Sequence, residues 1–273
     1  MRHPYRLRLG WRDTATELRT ERPELRNALA HIYRPFVTDE PVGRDSEATV
    51  LPSANCWRAS LNGQDYQYTN FEDAVVALEY EIERKLLADP RHGPVLHAAA
   101  VTNGSRTVII AGPSGAGKTT VSLECVRRGF RYVTDEFVAL DPTGAVLHPF
   151  PRAATLKCSW PHVPSGDIYE LHTDRAYRGF FVPDRCSDLQ SIPLPLPQII
   201  FLNRQTNSRP RARSLTSHET LAGLICATFQ FSGHEAAVWP AISALAVRSK
   251  ACKLDYSDFA AGLDMALELF EGP

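Results

Sequence analysis

Eight residues, Gly112-Pro-Ser-Gly-Ala-Gly-Lys-Thr119, constrain this chain more than any other stretch. They satisfy G-x-x-x-x-G-K-[ST] in full, a pattern that acquires meaning only when a strand leads into it and a helix leads out. Both flanks are present: TVIIA at 107–111 is an apolar, β-branched run, and Lys118-Thr-Thr-Val-Ser-Leu-Glu opens a helix that Gly129 terminates. The glycines at 112, 115 and 117 would free backbone N–H groups to converge on phosphate oxygens. Gly112, Ser114, Gly115, Ala116, Gly117, Lys118, Thr119 and Thr120 are therefore expected to hold the phosphates of ATP. Lys118, as a solvent-facing ligand, would neutralise the β- and γ-phosphates, and the Thr119 hydroxyl would be offered to Mg²⁺. The alternative is a glycine-rich turn that merely links strand and helix.

Around this loop the pattern predicts a β-α-β unit with a buried sheet: VLHAAAVT, TVIIA, the helix from Lys118, then RYVTDEFVAL as a strand. Asp141-Pro-Thr-Gly is a turn signal, so FVAL and AVLHPF should form a hairpin. PQIIFLN reads as a further core strand. Helices are expected at Ser217–Phe229 and at 234–248, the latter kinked by Pro240, then a strand near KLDY and a last helix capped by Ser257. Residues 158–195, rich in Pro, Gly and His, show no readable period and are expected to be loop.

The first 70 residues look mostly β, with CWRASL and QDYQYT alternating around the hairpin dipeptide Asn62-Gly63. Asn70 should cap a helix from Phe71 to about Leu87 with Phe71, Val75, Leu78, Ile82 and Leu86 on one face, ended by Asp89-Pro90. The chain thus divides into an N-terminal accessory region, 1–90, and a larger α/β domain, 91–273, with a mixed central sheet and flanking helices. The accessory region would bind a peptide or build a homo-oligomer.

Composition excludes whole classes. Thirty Lys+Arg against 31 Asp+Glu leave a net charge of -1, so no global field draws the chain to nucleic acid or to an acidic membrane, and neither is an expected partner. No apolar run approaches the roughly 20 residues of a membrane span. The six cysteines show no C-x-x-C spacing, and MRHPYRLRLGWRDTATE has no signal-peptide core, so a cytoplasmic protein with reduced thiols is expected.

Two further positions narrow the chemistry. Asp135, followed by Glu136, ends an apolar run 17 positions after Lys118. In a parallel sheet such strand ends line the ligand crevice, which would point Asp135 at the γ-phosphate; an acidic strand-end residue facing solvent or capping a turn is the alternative. If Asn103-Gly-Ser-Arg106 is a four-residue loop, Thr102 opposes Thr107 and His97 opposes Gly112. Its imidazole could then hydrogen-bond the Asp135 carboxylate and hold it toward an incoming hydroxyl. A satisfied sheet histidine is the other reading.

The series His97, GPSGAGKT, GFRYVTDE over about 60 residues resembles the catalytic core of the HPr serine kinase/phosphorylase family. The resemblance implies a P-loop kinase core, His97 and Asp135 as acid/base pair, Glu136 in place of a second Asp as a metal ligand, and Lys118 and Thr119 on phosphate and metal. The family's later acidic motif and its longer N-terminal domain have no counterpart here. HPFPRAATLK at 148–157 is similar instead to shorter HPr-kinase-like proteins, some of which phosphorylate serine in ribosomal peptides such as lasso-peptide precursors. The function so implied is an ATP- and Mg²⁺-dependent kinase acting on a serine of a peptide or small protein. A kinase of a free small molecule such as serine, and a non-catalytic nucleotide-gated peptide-binding module, are the alternatives.

Arg152 and Lys157 follow the hairpin and could brace the phosphoryl group or clamp a substrate carboxylate; solvated surface positions are the alternative. Arg204, Arg209, Arg211 and Arg213 could bind an acidic leader peptide or the adenine-side phosphates, or form a solvated face. Trp57, Trp160 and Trp239 are expected in core or interface.

Overall fold

The computed structural model describes residues 5–39, 44–53, 56–61, 64–87, 93–157, 163–172, 177–188, 190–194, 196–206, 209–229 and 235–271. They group into two compact units, 1–89 with 155–159 and 168–182, and 90–154 with 160–167 and 183–273. The first unit therefore takes in chain that the sequence assigns to the second.

The first unit begins with β1 (Tyr5–Trp11) and β2 (Thr14–Thr20), an antiparallel hairpin, then α1 (Pro23–Ile32). β3 (Arg44–Ser53), β4 (Cys56–Leu61), β5 (Gln64–Tyr68) and α2 (Phe71–Leu87) follow. The strands lie in the order β1-β2-β3-β4-β5, with only β2 and β3 parallel. Leu61 pairs with Gln64, the register of a two-residue hairpin; Asn62 and Gly63, like Asp89-Pro90, lie outside the described residues. Alternating Leu7, Leu9 and Trp11 are buried, as are Leu25, Leu29 and Ile32 of α1 and Val75, Leu78, Ile82 and Leu86 of α2. Asn70 caps α2, its Oδ1 accepting the Asp73 N–H at 2.8 Å. In a stretch read as mostly β, helix α1 starts on Pro23, whose fixed φ and missing N–H suit a first helical turn.

The second unit carries the site. Its first strands are β6 (Val95–Thr102) and β7 (Thr107–Ala111), then α3 (Lys118–Arg127), β8 (Arg131–Thr134), β9 (Phe137–Leu140) and β10 (Val146–His148). The chain then forms β11 (Ala154–Leu156), β12 (Gly166–His172) and β13 (Tyr177–Pro183), which lie largely in the first unit, before β14 (Ile192–Pro193) of the second. The chain ends with β15 (Gln198–Arg204), β16 (Arg211–Ser214), α4 (Ser217–Ala227), β17 (Thr228–Phe229), α5 (Glu235–Arg248), β18 (Lys250–Tyr256) and α6 (Phe259–Glu271).

The large sheet runs β14-β10-β9-β6-β7-β15-β18-β16, with β8 and β17 also paired to β6. It is mixed: β7, β15 and β18 are parallel, whereas β6 is antiparallel to β7, β8 and β9. The β7-α3-β8 unit therefore steps across β6 rather than joining neighbours. One face buries Leu96, Ala98, Ile109 and Ile199 with Leu224 of α4 and Ile242 and Leu245 of α5.

Three local expectations are corrected. RYVTDEFVAL is two strands, because the Thr134 hydroxyl accepts the N–H groups of Glu136 (3.3 Å) and Phe137 (3.2 Å) and bends the chain between them. Residues 158–195 contain β12, β13 and β14, and β11-β13-β12 form a sheet; consecutive burial of Phe180, Phe181 and Val182 erases the period of two. The cap of α6 is Asp258, whose Oδ1 accepts the Ala261 N–H at 2.8 Å, one residue beyond Ser257.

Candidate active site

β6 and β7 pair as Ala98↔Ala111 through Thr102↔Thr107, the register of a four-residue loop, so His97 lies one step before the ladder and Gly112 one step after it. The loop that follows needs its glycines. Gly112 has φ +151°, Gly115 +80° and Gly117 +88°, and a Cβ on Gly112 would meet the Leu202 carbonyl oxygen at 2.6 Å. Pro113, Ser114 and Gly115 are exposed at the tip. Gly117 is the N-cap of α3 and brings no side-chain cap, which leaves first-turn N–H groups to be satisfied from elsewhere. The Tyr256 hydroxyl donates to the Ala116 carbonyl and ties the loop to β18.

Lys118 is buried, not solvent-facing. Its Nζ curls over the loop and donates to the carbonyls of Gly112 (2.9 Å) and Pro113 (3.4 Å). Thr119 stands in the first turn of α3, and its hydroxyl donates to Oδ2 of Asp135 at 3.1 Å; Thr120, next to it, is partly buried.

Asp135 and Glu136 occupy the bend after β8, and the Ala98 N–H donates to the Glu136 carbonyl at 3.1 Å, fastening the bend to β6. Asp135 is 1% exposed. Its other oxygen, Oδ1, accepts the Tyr132 hydroxyl at 2.8 Å. Burial raises its pKa, against the pull of Arg152, with the neighbouring Glu136 charge adding to the rise.

His97 faces Glu136, with Nε2 3.1 Å from Oε1. The expectation that it would hold Asp135 is thereby corrected: the bend turns the second carboxylate, not the first, toward the end of β6. Burial would raise the pKa of Glu136, but the His97 hydrogen bond, Arg152 and Lys118 together lower it. The two carboxyls are thus driven apart, Asp135 toward the neutral form and Glu136 toward the anion.

Arg152 is 4% exposed, so its solvated-surface alternative fails, and its charge acts on both carboxylates. Lys157 is exposed and belongs to the first unit. Arg204, Arg209, Arg211 and Arg213 are exposed, with Arg213 paired to Glu219 at 2.7 Å. Trp239 is 48% exposed on α5 rather than in a core; the side chains of Trp57 and Trp160 lie outside those described.

A cleft of about 550 Å³ opens beside the first loop residues, lined by His97, Gly112, Phe201, Asn203, Gly223 and Lys253 among others.

No group of three or more His, Cys, Asp or Glu among the described residues could hold a metal by itself. The oxygens of Thr119, Asp135 and Glu136 nevertheless fit Mg²⁺, which takes hard ligands, one or two carboxylates and substrate phosphates in place of a full protein cage. Tyr132 is the participant that sequence reasoning missed. Inside RYVTDE it reads as an ordinary apolar strand residue, and only its hydroxyl's destination marks it out.

No protein-family model matches the sequence, and no curated protein is similar to it. Among solved structures, the Hpr(Ser) kinase/phosphatase from Coxiella burnetii is similar with a TM-score of 0.32 and 13% identity, over 65% of this chain and 94% of that one. The likeness is distant. Among the described residues no helix is long and apolar enough to cross a membrane.

Proposed function

We propose that the chain is a Mg²⁺-dependent kinase that moves the terminal phosphoryl group of ATP to an aliphatic hydroxyl, most specifically a serine of a peptide or small protein of the lasso-precursor kind. The observation that carries this reading is the hydrogen bond from Thr119, at the mouth of a glycine loop with three positive-φ glycines, to the buried Asp135. A hydroxyl that donates to a carboxylate keeps its lone pairs for a cation, and α3 presents N–H groups beside it.

Mg²⁺-ATP, when bound, supplies the phosphoryl group and offsets its charge. The protein's own parts then divide the work. Loop N–H groups and Lys118, released from the carbonyls of Gly112 and Pro113, hold the phosphates. Thr119 and Asp135 hold the cation. Glu136, kept anionic and oriented by His97, accepts the proton of the acceptor hydroxyl, and buried Arg152 steadies charge between the carboxylates and the transferring group. Relative to the sequence reading, Asp135 and Glu136 exchange roles, because each follows its hydrogen-bond partner. The cleft beside His97 also favours a second acceptor, a free small hydroxyl compound such as serine.

The test is direct. Nucleotide affinity with and without Mg²⁺ is measured by calorimetry, and transfer from γ-labelled ATP is followed to seryl peptides, to free serine and to water. Mg²⁺-dependent binding with transfer to one acceptor is expected. Tight binding with no transfer to any of the three would leave only the nucleotide-gated binding module.

A further inference from the structure

We propose that Tyr132 is the positioning residue that aims the Asp135 carboxylate at Thr119 and the cation, a role that rests on the Mg²⁺-nucleotide reading of the site. The geometry begins with a defect in β8. Ala100 opposes Thr134 whereas Val101 opposes Tyr132, so β8 carries one extra residue against β6. Residues three apart on a regular strand face opposite sides; the bulge re-aims them and lets Tyr132 and Asp135 meet.

Tyr132 is itself held on every side. It is fully buried, its N–H donates to the Arg185 carbonyl and its carbonyl accepts the Ser187 N–H, both at 2.7 Å. Its Oη lies 2.8 Å from Asp135 Oδ1 and 3.0 Å from the Arg152 carbonyl. One hydroxyl proton serves these two acceptors, and the shorter contact is the one to the carboxylate.

Asp135 needs such a guide. It sits past the last ladder residue of β8, where strand pairing no longer fixes its direction. With Oδ1 fixed by Tyr132, Oδ2 is left for Thr119 at 3.1 Å. Arg152, Glu136 and Cys186 also act electrostatically on this carboxylate or its tyrosine.

Mn²⁺, standing in for Mg²⁺, provides a readout that is independent of turnover: its binding in the presence of ADP is followed by paramagnetic resonance of the free ion. Tyr132→Phe should weaken Mn²⁺ binding about 10-fold, as loss of a partner behind a metal ligand does. ADP affinity without metal should be unchanged. In an Asp135→Asn background the same substitution should cost nothing more, because the hydroxyl acts through the carboxylate. 3-Fluorotyrosine at position 132 retains the hydroxyl and should bind Mn²⁺ at least as tightly as the native protein; it decides the matter alone if Tyr132→Phe does not fold. Native Mn²⁺ affinity in Tyr132→Phe, an equal loss in both backgrounds, or a loss with fluorotyrosine would each overturn the proposal. Failure of the underlying reading looks different, since the unaltered protein would then bind no Mn²⁺ with ADP, and the proposal would fall with it.

Discussion

His97 Nε2 lies 3.1 Å from Oε1 of Glu136, while the preceding residue, Asp135, turns its carboxylate to the hydroxyls of Thr119 and Tyr132. Two adjacent acids thus serve opposite sides of one site. Glu136→Gln should lower kcat by about 10²–10⁴ with little change in ATP affinity, since it removes the proton acceptor. Asp135→Asn should instead raise the Mg²⁺ requirement and recover part of its rate in excess metal. Rate measured against Mg²⁺ concentration for both variants checks the assignment. Metal rescue of Glu136→Gln but not of Asp135→Asn would restore the order first expected, with Asp135 as base.

Lys118→Ala should abolish phosphoryl transfer and weaken ATP binding. Because Nζ also ties the carbonyls of Gly112 and Pro113, the substitution should loosen the loop and cost about 1 kcal/mol of stability. Nucleotide calorimetry and thermal melts measure the two effects separately. Unchanged transfer would sink the site assignment.

Gly144→Ala tests packing away from the chemistry. Gly144 has φ +66°, and a Cβ there would lie 2.4 Å from the Ala241 carbonyl oxygen. Backbone strain and a backbone clash together should cost about 2–4 kcal/mol, read as a lowered urea midpoint at unchanged slope.

The start of α4 is a capping box: Thr216 Oγ1 accepts the Glu219 N–H, and the Glu219 carboxylate accepts the Thr216 N–H. Thr216→Ala should cost about 1 kcal/mol. The Thr216 backbone bond, with Arg213 and the Thr216 hydroxyl, lowers the Glu219 pKa from 4.5 to about 2. A depressed carboxylate contributes its stability above the unfolded value and loses it as pH falls, so the Glu219 carboxylate's share of the cap should be lost between about pH 4.5 and 2. Acid titration of native and Glu219→Gln proteins should show the native advantage disappearing in that window.

Cys252 lies beside a second cavity of about 400 Å³, and burial pushes its thiol up to about 11. At pH 8 its thiolate fraction, and with it its rate of alkylation, should be about a hundredfold below that of an ordinary thiol. Mass spectrometry after brief iodoacetamide treatment should find Cys252 labelled far more slowly than an unfolded-state thiol; labelling at the same rate would contradict the shift.

What the sequence by itself determined was local. The glycine loop between TVIIA and Lys118 is legible because few residue types tolerate positive φ at 112, 115 and 117. The β6–β7 register follows from a four-residue loop, and the α2 cap from Asn70. Each of these rests on hydrogen bonds or torsions among residues a few positions apart. Tertiary structure decided the rest. A bulge opposite Ala100–Val101 and a bend at Thr134 chose which acid faces His97, and a shift of one residue is enough to exchange them. Arg152 became a buried cation, and Tyr132 became a partner of Asp135, through contacts that leave no period in the chain. The inclusion of 155–159 and 168–182 in the first unit depends likewise on packing between segments distant in sequence, which hydrophobic patterning cannot encode.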